Sequence, residues 1–493
     1  MDIKELREQI NEIDEKLVEL FLKRMEVSAG VAAYKKERGL PVFDAQRERS
    51  HLQELQEHAD PPMDEYVLEF FQDIMRLSRA YQKTQNGRFG LLGEKLGHSY
   101  SPQIHEMAAG YRYDLIEVER NQLEAFMNDN EYDGFNVTIP YKKAVIPFLD
   151  EISPQAEKIG SVNTVVRLKD GRLRGDNTDY TGFAYMVERA GVPVKDKKCM
   201  ILGNGGVAPT IRAVLQDMGA SEILTVSRKG ELNFGNLYDH DDVQILVNAT
   251  PVGMYPNNGE SLADLSKLPA LEGVFDVIYN PYRTKLILDA EERGISCSGG
   301  LSMLVSQGIV AAERFLDRKI PKERVEEIIG KLESQMMNIA LIAMPGAGKT
   351  SCGKKLEKLT GRKLVDMDAE IEKKIGCTIP EFFAEKGEDA FRKVETEVLR
   401  EFSKKSGLII ATGGGVVTRD ENYPLLHQNS HIVFLDREDM TQLSKKGRPV
   451  SQSTPIEKLI RERMPKYRGW SDLTIRCVNP YKNAKKIIKE LKL

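Results

Sequence analysis

The sequence predicts a multidomain chain with an all-α three-helix domain at its start and two α/β regions after it. First, 493 residues are too many for one hydrophobic core, and three domains are expected. Second, apolar residues recur every three or four positions through the first forty residues, which is typical of a helix. Third, a buried-type strand runs into a glycine-rich turn twice, near residues 198–208 and 338–350.

Composition narrows the class of protein. Charged residues are 30%, apolar residues 41% and the net charge is −4, so bulk charge argues for neither nucleic acid nor anionic membrane as a partner. The five cysteines are scattered without a CxxC, which indicates reduced thiols in the cytoplasm. No apolar run is long enough to span a bilayer, and the start lacks a signal-peptide core. The resemblances described below imply small-molecule substrates.

Residues 1–86 predict one helix of about 36 residues, roughly 54 Å long, and two shorter ones near 45–58 and 63–85. Asp44 is a plausible N-cap of the second. The apolar stripe of the long helix consists of Ile3, Leu6, Ile10, Ile13, Leu17 and Leu20. Because the short remainder cannot cover so long a helix, we expect a partner helix from a second copy, in an intertwined dimer.

Polar residues of the same segment share faces: Arg24 and Lys35 are eleven apart, and Ser78 and Gln82 are four apart. Arg7 is turned away from Arg24, so it would serve a site only across a subunit boundary. The segment resembles the all-helical chorismate mutases, which form intertwined dimers. The matching positions are Arg7, Arg24, Lys35, Asp44, Arg47, Glu48, Ser78 and Gln82.

That resemblance implies a pericyclic rearrangement of chorismate, for which a catalyst holds the compact conformer and stabilises developing charge. It assigns Arg24, and Arg7 of the partner subunit, to the substrate carboxylates, and Lys35 and Gln82 to the ether oxygen. Glu48 would bind the substrate hydroxyl. Asp44 and Arg47 would complete the wall of the substrate site, and Ser78 is the remaining match. The alternative is a non-catalytic dimeriser or a sensor of chorismate or prephenate.

Residues 88–330 alternate strand and helix patterns, as in a parallel sheet with crossover helices. Residues 134–142, GFNVTIPYK, predict a strand through Ile139 that Pro140 ends. Lys142 then lies past the carboxyl end of the strand, where open α/β sheets bind ligands. The polar cluster 175–179, GDNTD, offers Asp179 as its carboxylate partner.

A second sheet begins at residues 198–202 and leads into GNGGVA and a helix with Pro209 in its first turn. Such a turn lets the backbone approach a pyrophosphate. The residues of this Rossmann-like turn are Gly203, Gly205, Gly206, Val207 and Ala208. The next strand ends in Ser227, Arg228 and Lys229, where an NAD site would carry a carboxylate, so the 2′-phosphate of NADP is expected.

The region resembles shikimate dehydrogenase, which reduces 3-dehydroshikimate with NADPH. The resemblance rests on the stretches above and on GHSYSP at 97–102, SVNT at 161–164, NATP at 248–251, YNP at 279–281 and GLSMLVSQG at 300–308. It implies a substrate part at 88–183 and 299–330 and an NADP part at 184–298. A quinate/shikimate dehydrogenase working oxidatively is the alternative.

The resemblance also implies roles for individual residues. Lys142 would protonate the substrate oxygen during reduction, with Asp179 orienting it. The residues implied for the substrate carboxylate are Ser99, Ser101 and Tyr279. Those implied for the ring oxygens are Thr138, Asn163, Asp179 and Gln307.

Residues 337–493 predict a phosphate-binding loop at MPGAGKT, after a buried-type strand. The backbone of Gly346, Ala347 and Gly348 would cradle phosphates of ATP. Lys349 would reach the β/γ oxygens, and Thr350 would bind Mg²⁺. Ala343 stands where the motif usually has its first glycine.

Two carboxylates, Asp366 and Asp368, are expected on one face of the end of the next strand. With AFRKVE at 390–395 and ATGGGVV at 411–417, they make the segment resemble shikimate kinase; a gluconate-type or adenylate-type kinase is the alternative. The resemblance places Asp366 near Mg²⁺ and Asp368 on the reacting hydroxyl, and makes Arg448 the lid arginine. The other implied substrate contacts are Arg392, Arg463, Gly413, Gly414 and Gly415. The whole chain then predicts a trifunctional enzyme; the alternative is a bifunctional dehydrogenase/kinase with a non-catalytic first domain.

Overall fold

The computed structural model describes residues 2–38, 44–84, 87–97, 99–437 and 455–493. The chain divides into two compact units, Met1–Gly182 with Val305–Ile328 and Phe183–Leu304 with Ile329–Leu493. Within the described ranges, none of the helices combines the length and the apolar character that crossing a bilayer requires.

The first unit begins with the three expected helices: α1 (Ile3–Glu37), α2 (Ala45–Gln56) and α3 (Met63–Thr84). Asp44 is the N-cap of α2 and accepts a hydrogen bond from the Arg47 backbone N–H at 3.1 Å. Only the second half of α1 buries apolar residues, such as Met25 and Ala32. The stripe in its first half stays exposed, and Ile10 keeps 55% of its surface accessible.

The rest of the first unit is built on a six-stranded sheet in the order β2-β1-β3-β5-β6-β4. Its strands are β1 (Arg88–Gly93), β2 (Arg112–Glu117), β3 (Gly134–Val137), β4 (Glu151–Ile152), β5 (Thr164–Arg167) and β6 (Leu173–Asp176). The expectation of a parallel sheet is wrong here, because β5 runs antiparallel to both β3 and β6. The short turn between β5 and β6 permits a hairpin, whereas a parallel crossover needs a dozen or more residues.

The strand β3 ends two residues earlier than predicted. Ile139 lies outside the strand and is 72% exposed, since the strand leaves the core after Val137. The helices are α4 (Ser101–Ala109), α5 (Leu123–Asn128), α6 (Pro154–Ile159) and α7 (Thr178–Ala190), joined from later in the chain by α10 (Leu301–Leu316) and α11 (Lys322–Met336).

The second unit contains two five-stranded sheets, both parallel, as α/β crossovers require. The first has the order β11-β10-β9-β7-β8 and the second β13-β14-β12-β15-β16. The first sheet and its helices are β7 (Lys198–Leu202), α8 (Ala208–Asp217), β8 (Glu222–Val226), β9 (Ile245–Asn248), β10 (Gly273–Asp276), α9 (Lys285–Glu292) and β11 (Ser296–Ser298).

The second sheet lies between helices on both faces. Its strands are β12 (Asn338–Ile342), β13 (Leu364–Asp366), β14 (Ile409–Ala411), β15 (Ser430–Asp436) and β16 (Leu473–Arg476). Its helices are α12 (Lys349–Thr360), α13 (Met367–Ile375), α14 (Ile379–Ser403), α15 (Asn422–His427), α16 (Ile456–Trp470) and α17 (Pro480–Glu490).

One local expectation is wrong in this sheet. Asp368 is not part of a strand: β13 stops at Asp366, which caps α13 by accepting a hydrogen bond from the Asp368 N–H at 3.1 Å. An aspartate favours this N-cap position because its carboxylate satisfies an otherwise unpaired N–H of the helix.

Candidate active sites

A cavity of about 280 Å³ opens at the carboxyl ends of β12, β13 and β14. Its walls include almost all the residues implied for a kinase: Gly346, Gly348, Lys349, Thr350, Asp366, Asp368, Arg392, Gly413, Gly414, Gly415 and Arg463. Ala347 is a buried residue of the phosphate loop itself, and Arg448 lies outside the described residues. Sequence positions more than a hundred residues apart therefore converge on one polar cavity.

The phosphate loop holds its lysine and threonine in fixed directions. The Nζ of Lys349 donates to the carbonyl oxygens of Ala343 and Met344 at 2.9 and 3.2 Å. The Oγ1 of Thr350 donates to Asp366 Oδ2 at 2.7 Å. Gly348 adopts a φ of 94°, the left-handed region that favours glycine, just before α12 begins. The first N–H groups of α12 thus face the cavity as an anion site.

The glycines after β14 are required by close neighbours. A Cβ on Gly414 would lie 2.6 Å from Pro345 Cγ, and one on Gly415 would overlap the Arg392 guanidinium. Arg463 Nη1 donates to the Gly414 carbonyl at 2.9 Å. This segment can therefore pack directly against the phosphate loop and the two arginines.

Glu395 is a buried site residue to which the sequence analysis gave no role. Its Oε2 accepts a 2.7 Å hydrogen bond from Arg392, and its Oε1 has no hydrogen-bond partner among the described residues. Burial raises the pKa of Glu395, although Arg392 opposes the shift. Its position three residues after Arg392 on one helix was a signal that could have found it.

At its first residue, the glycine turn after β7 also lies too close to a neighbouring residue to admit a side chain. Gly203 has a φ of 100°, and a Cβ there would lie 2.6 Å from Thr250 Cγ2. Gly205 and Gly206 face open space, while Val207 caps α8 and Ala208 begins it. The exposed N-terminus of α8 can bind a phosphate through its N–H groups.

Cations follow the neighbouring strand β8. Arg228 and Lys229 are exposed after Ser227, and neither has an ion pair or hydrogen bond within the part of the chain that the structure describes. Two unpaired cations beside a nucleotide turn can bind an additional phosphate group.

Asp276, at the end of β10, is a buried carboxylate that sequence reasoning missed. It accepts hydrogen bonds from Asn248 Nδ2 at 3.1 Å and from Thr284 Oγ1 at 2.7 Å. Burial raises the pKa of Asp276 to about 6. It ties the loops after β9 and β10 together; Tyr279 lies in the second of these loops.

In the first unit, Lys142 and Asp179 are brought together from positions 37 residues apart. Lys142 Nζ lies 2.6 Å from Asp179 Oδ2, and both side chains are mostly buried, with 21% and 13% of their surface exposed. Asp179 lies in the first turn of α7. The Lys142 carbonyl accepts a hydrogen bond from Val162 N at 2.9 Å, which fixes the turn that carries the lysine.

Thr178 connects several residues of the predicted substrate site. Asn163 Oδ1 accepts from the Thr178 backbone N–H at 2.7 Å, and Thr178 Oγ1 donates to Gln307 Oε1 at 3.4 Å. The sequence analysis quoted Thr178 in a polar cluster but gave it no role. Ser99 Oγ accepts from Ser101 N at 3.2 Å at the start of α4.

Thr138 lies between the strand and the lysine turn. Its N–H donates to the Leu92 carbonyl at 2.9 Å, and its carbonyl accepts from Tyr141 N at the same distance. Both backbone contacts hold this residue just past the carboxyl end of β3.

The helical domain gathers its polar residues at the end where α1, α2 and α3 meet. Arg24 Nη1 donates to Ser78 Oγ, and the nearby Gln82 is buried with no hydrogen-bond partner for its Oε1 among the described residues. Desolvation by burial lowers the pKa of Arg24 and of Lys35, and for Lys35 the charge of Asp44 opposes the shift.

Three of the predicted residues of that domain, Glu48, Arg7 and Arg47, lie differently from the others. Glu48 pairs with Arg79, a partner that sequence reasoning missed although it adjoins Ser78. Arg7 is exposed on the first half of α1, beside the exposed apolar stripe, and Arg47 is exposed on α2. Arg24 and Lys35 are only partly buried, so within one chain the polar cluster is open to solvent on their side.

These folds and sites define a multidomain enzyme class: a helical domain, an oxidoreductase with a dinucleotide turn, and a P-loop kinase. Three families match in the same order. Chorismate mutase type II matches residues 6–83, the shikimate dehydrogenase substrate binding domain matches 91–165, and shikimate kinase matches 345–492.

Curated relatives match the middle of the chain. The shikimate dehydrogenase (NADP(+)) of Clostridium perfringens is 38% identical over 266 residues, covering 50% of this chain and 98% of the relative. That of Bacillus cereus is 34% identical over 268 residues, covering 49% and 96%. A solved chorismate mutase/shikimate 5-dehydrogenase fusion protein from Clostridium acetobutylicum is 37% identical with a TM-score of 0.48, covering 50% and 96%. The chain belongs to the shikimate dehydrogenase family, and it also carries chorismate mutase and shikimate kinase domains.

Proposed function

We propose that this chain catalyses NADPH-dependent reduction of 3-dehydroshikimate to shikimate, ATP-dependent 3-phosphorylation of shikimate, and rearrangement of chorismate to prephenate. The domains would be residues 88–330, 337–493 and 1–86, respectively. The observation that carries the proposal is the 2.6 Å contact between Lys142 and Asp179, because it joins two distant residues into a proton-handling pair.

In the dehydrogenase, NADPH would supply the hydride, and Lys142 Nζ would give its proton to the oxygen of the reduced carbonyl. Asp179 holds the ammonium in one direction through the 2.6 Å contact. Arg228 and Lys229 fit the 2′-phosphate, since they are cations without carboxylate partners among the described residues. A preference of kcat/KM for NADH over NADPH would contradict this assignment.

In the kinase, Lys349 and the N–H groups of α12 would bind the ATP phosphates. Mg²⁺ would neutralise phosphate charge, and the paired oxygens of Thr350 and Asp366 fit an ion that takes one or two protein ligands and several waters. Asp368 would accept the proton of the attacking hydroxyl, and Arg392 and Arg463 would bind the substrate carboxylate.

In the helical domain, the reaction needs neither an acid nor a base. Arg24 would bind a carboxylate, and Lys35 and Gln82 would stabilise charge on the breaking ether oxygen. We propose a homodimer in which the exposed stripe of α1 packs on a second copy, because isolated apolar stripes of this size are seldom left in water. Arg7 of the partner subunit would then close the open side.

The direct test is incubation of the purified chain with 3-dehydroshikimate, NADPH and Mg-ATP, and separately with chorismate. The expected products are shikimate 3-phosphate, formed through shikimate, and prephenate. Phosphorylation of 3-dehydroshikimate but not of shikimate would contradict the kinase assignment. Binding of chorismate without turnover would instead favour a bifunctional enzyme with a helical sensor. The five free cysteines fit a reducing compartment such as the cytoplasm.

A further inference from the structure

Within the second unit, loops of the first sheet contact a turn of the kinase domain, residues 427–429. We call this segment the docking turn. Gln428 and Asn429 are almost fully buried there, with 4% and 0% of their surface exposed. Polar side chains are buried this deeply only when their hydrogen bonds are made inside the protein. Their partners show what the turn does.

The docking turn binds the loop that follows β10. The backbone N–H of Arg283 donates to the Gln428 carbonyl at 2.9 Å, and its Nη1 donates to the His427 carbonyl at 3.1 Å. The Tyr282 N–H donates to Asn429 Oδ1 at 3.3 Å. This loop carries Tyr279, the residue expected to bind the substrate carboxylate.

The kinase domain also binds the loop that follows β9. Asn258 Nδ2 donates to Gln428 Oε1 at 3.0 Å, and Lys404 Nζ donates to the Pro256 carbonyl at 2.8 Å. At its other end this loop packs Thr250 against Gly203 of the nucleotide turn. The Tyr255 N–H donates to the Asn280 carbonyl at 3.0 Å, so the two loops are also joined to each other.

Both loops begin at the carboxyl ends of neighbouring parallel strands, the edge of an α/β sheet where ligands bind. A loop at such an edge must be held in one conformation if it is to bind a ligand without an additional entropic cost. Here the far ends of both loops are held by the kinase domain, the β9 loop by side chains and the β10 loop by backbone carbonyls and Asn429 Oδ1.

We propose that Lys404, Gln428 and Asn429 of the kinase domain are positioning residues for the dehydrogenase, holding its cofactor and substrate loops in the binding conformation. The inference goes beyond the proposed function, because it makes the affinity of one enzyme depend on contacts supplied by the other. It rests on the dehydrogenase assignment through the role of Tyr279 and through the nucleotide turn that the β9 loop contacts.

The chain offers a matched pair of double variants. The target variant, Asn258→Ala with Lys404→Ala, removes both side-chain contacts to the β9 loop. The control variant, Asn257→Ala with Lys405→Ala, makes the same changes one residue away, where neither side chain joins the loop to the kinase. Lys404→Arg keeps a donor for the Pro256 carbonyl and serves as the conservative variant.

Loss of two hydrogen bonds should raise the dehydrogenase KM for NADPH and for 3-dehydroshikimate about fivefold, with kcat changed less than twofold. The kinase parameters should stay at wild-type values, and the control variant should match the wild type. Lys404→Arg, which keeps the donor, should leave both KM values close to those of the wild type. Equal KM values in the target and control variants would overturn the proposal. So would a parallel loss of kinase activity, because the contacts would then serve the kinase fold itself.

NADPH binding, measured by nicotinamide fluorescence, tests this proposal independently of the proposed dehydrogenase reaction. A wild-type chain that binds NADPH but does not reduce 3-dehydroshikimate would contradict the proposed function alone. The target variant would still bind NADPH about fivefold more weakly than the control variant if the proposal is right. Equal binding would contradict it.

Discussion

The kinase cavity and the helical domain present opposite kinds of site. The kinase cavity is enclosed by residues of one domain, and Lys349, Arg392 and Arg463 are each less than a tenth exposed. The polar cluster of the helical domain is open on one side, beside an apolar stripe in which Ile10 is 55% exposed. The difference sets a site built from residues of one chain against a site that, in the proposed homodimer, a second copy would complete.

The largest effect is expected at the enclosed site. Lys349→Ala removes the cation that would bind the transferring phosphate, so the kinase kcat should fall about 10³-fold. Because the site lies within one chain, the loss should not depend on protein concentration. Lys354→Ala, an exposed lysine on the same helix, is the control. Equal kinase rates for the two variants would show that Lys349 does not contact the phosphates.

For the apolar stripe of α1 we expect the opposite behaviour, a mutase activity that depends on dimer formation. Ile10→Glu with Leu17→Glu places two carboxylates in the proposed interface and should weaken the dimer about 10³-fold. Sedimentation velocity measures the change. Mutase activity should then fall as the chain is diluted, while kinase activity should not. A variant that remains dimeric would mean that the stripe is covered by something else.

Within the open site, Lys35→Ala should lower mutase kcat/KM about 100-fold and leave the dimer intact, since the ammonium would stabilise charge that develops only in the transition state. Lys23→Ala, exposed on the same helix, is its control. Unchanged turnover of chorismate in Lys35→Ala would remove this lysine from the mechanism.

The smallest effect concerns stability of the first unit. Burial lowers the pKa of His105 to about 3 in the folded chain, below the unfolded value of 6.5, so the unfolded state binds the proton first. Stability is therefore fully present above pH 6.5 and is lost as the pH falls toward 3. At pH 5 the loss is about 2 kcal/mol.

Thermal unfolding at pH 7 and pH 5 measures that loss. The wild type should lose several degrees of Tm, and His105→Gln, which keeps a hydrogen-bonding group near Tyr111, should lose less. Equal losses in both proteins would assign the acid sensitivity to other groups.

Much of this structure could be predicted because its signals are local. The 35-residue helix α1, the Asp44 cap and both glycine turns each follow from residues adjacent in sequence. The role of Lys142 could be inferred only by pairing it with a carboxylate from a distant part of the sequence. The contact with Asp179 was expected because the dense polar cluster at 175–179 offered a carboxylate partner for the lysine.

What could not be predicted depends on pairing between distant segments. The antiparallel β5 and the early end of β3 are set by the neighbours that each strand finds in the sheet. Asp276 was missed because a carboxylate in a sequence gives no sign of whether it will be buried. Glu395 had one local signal, its position three residues after Arg392 on the same helix, but the sequence does not show that it is buried. The docking turn could not be predicted, because the sequence of residues 427–429 does not indicate which distant loops they contact.

The most direct test of the account is complementation between two impaired chains. Arg7→Ala and Lys35→Ala should each keep only a small fraction of the mutase activity, and an equal mixture that exchanges subunits should regain about a quarter of the wild-type rate. Half of the dimers would then be mixed, and each mixed dimer would hold one intact site, built from one unaltered Arg7 and one unaltered Lys35. No recovery in a mixture shown to contain mixed dimers would contradict a site shared between two copies.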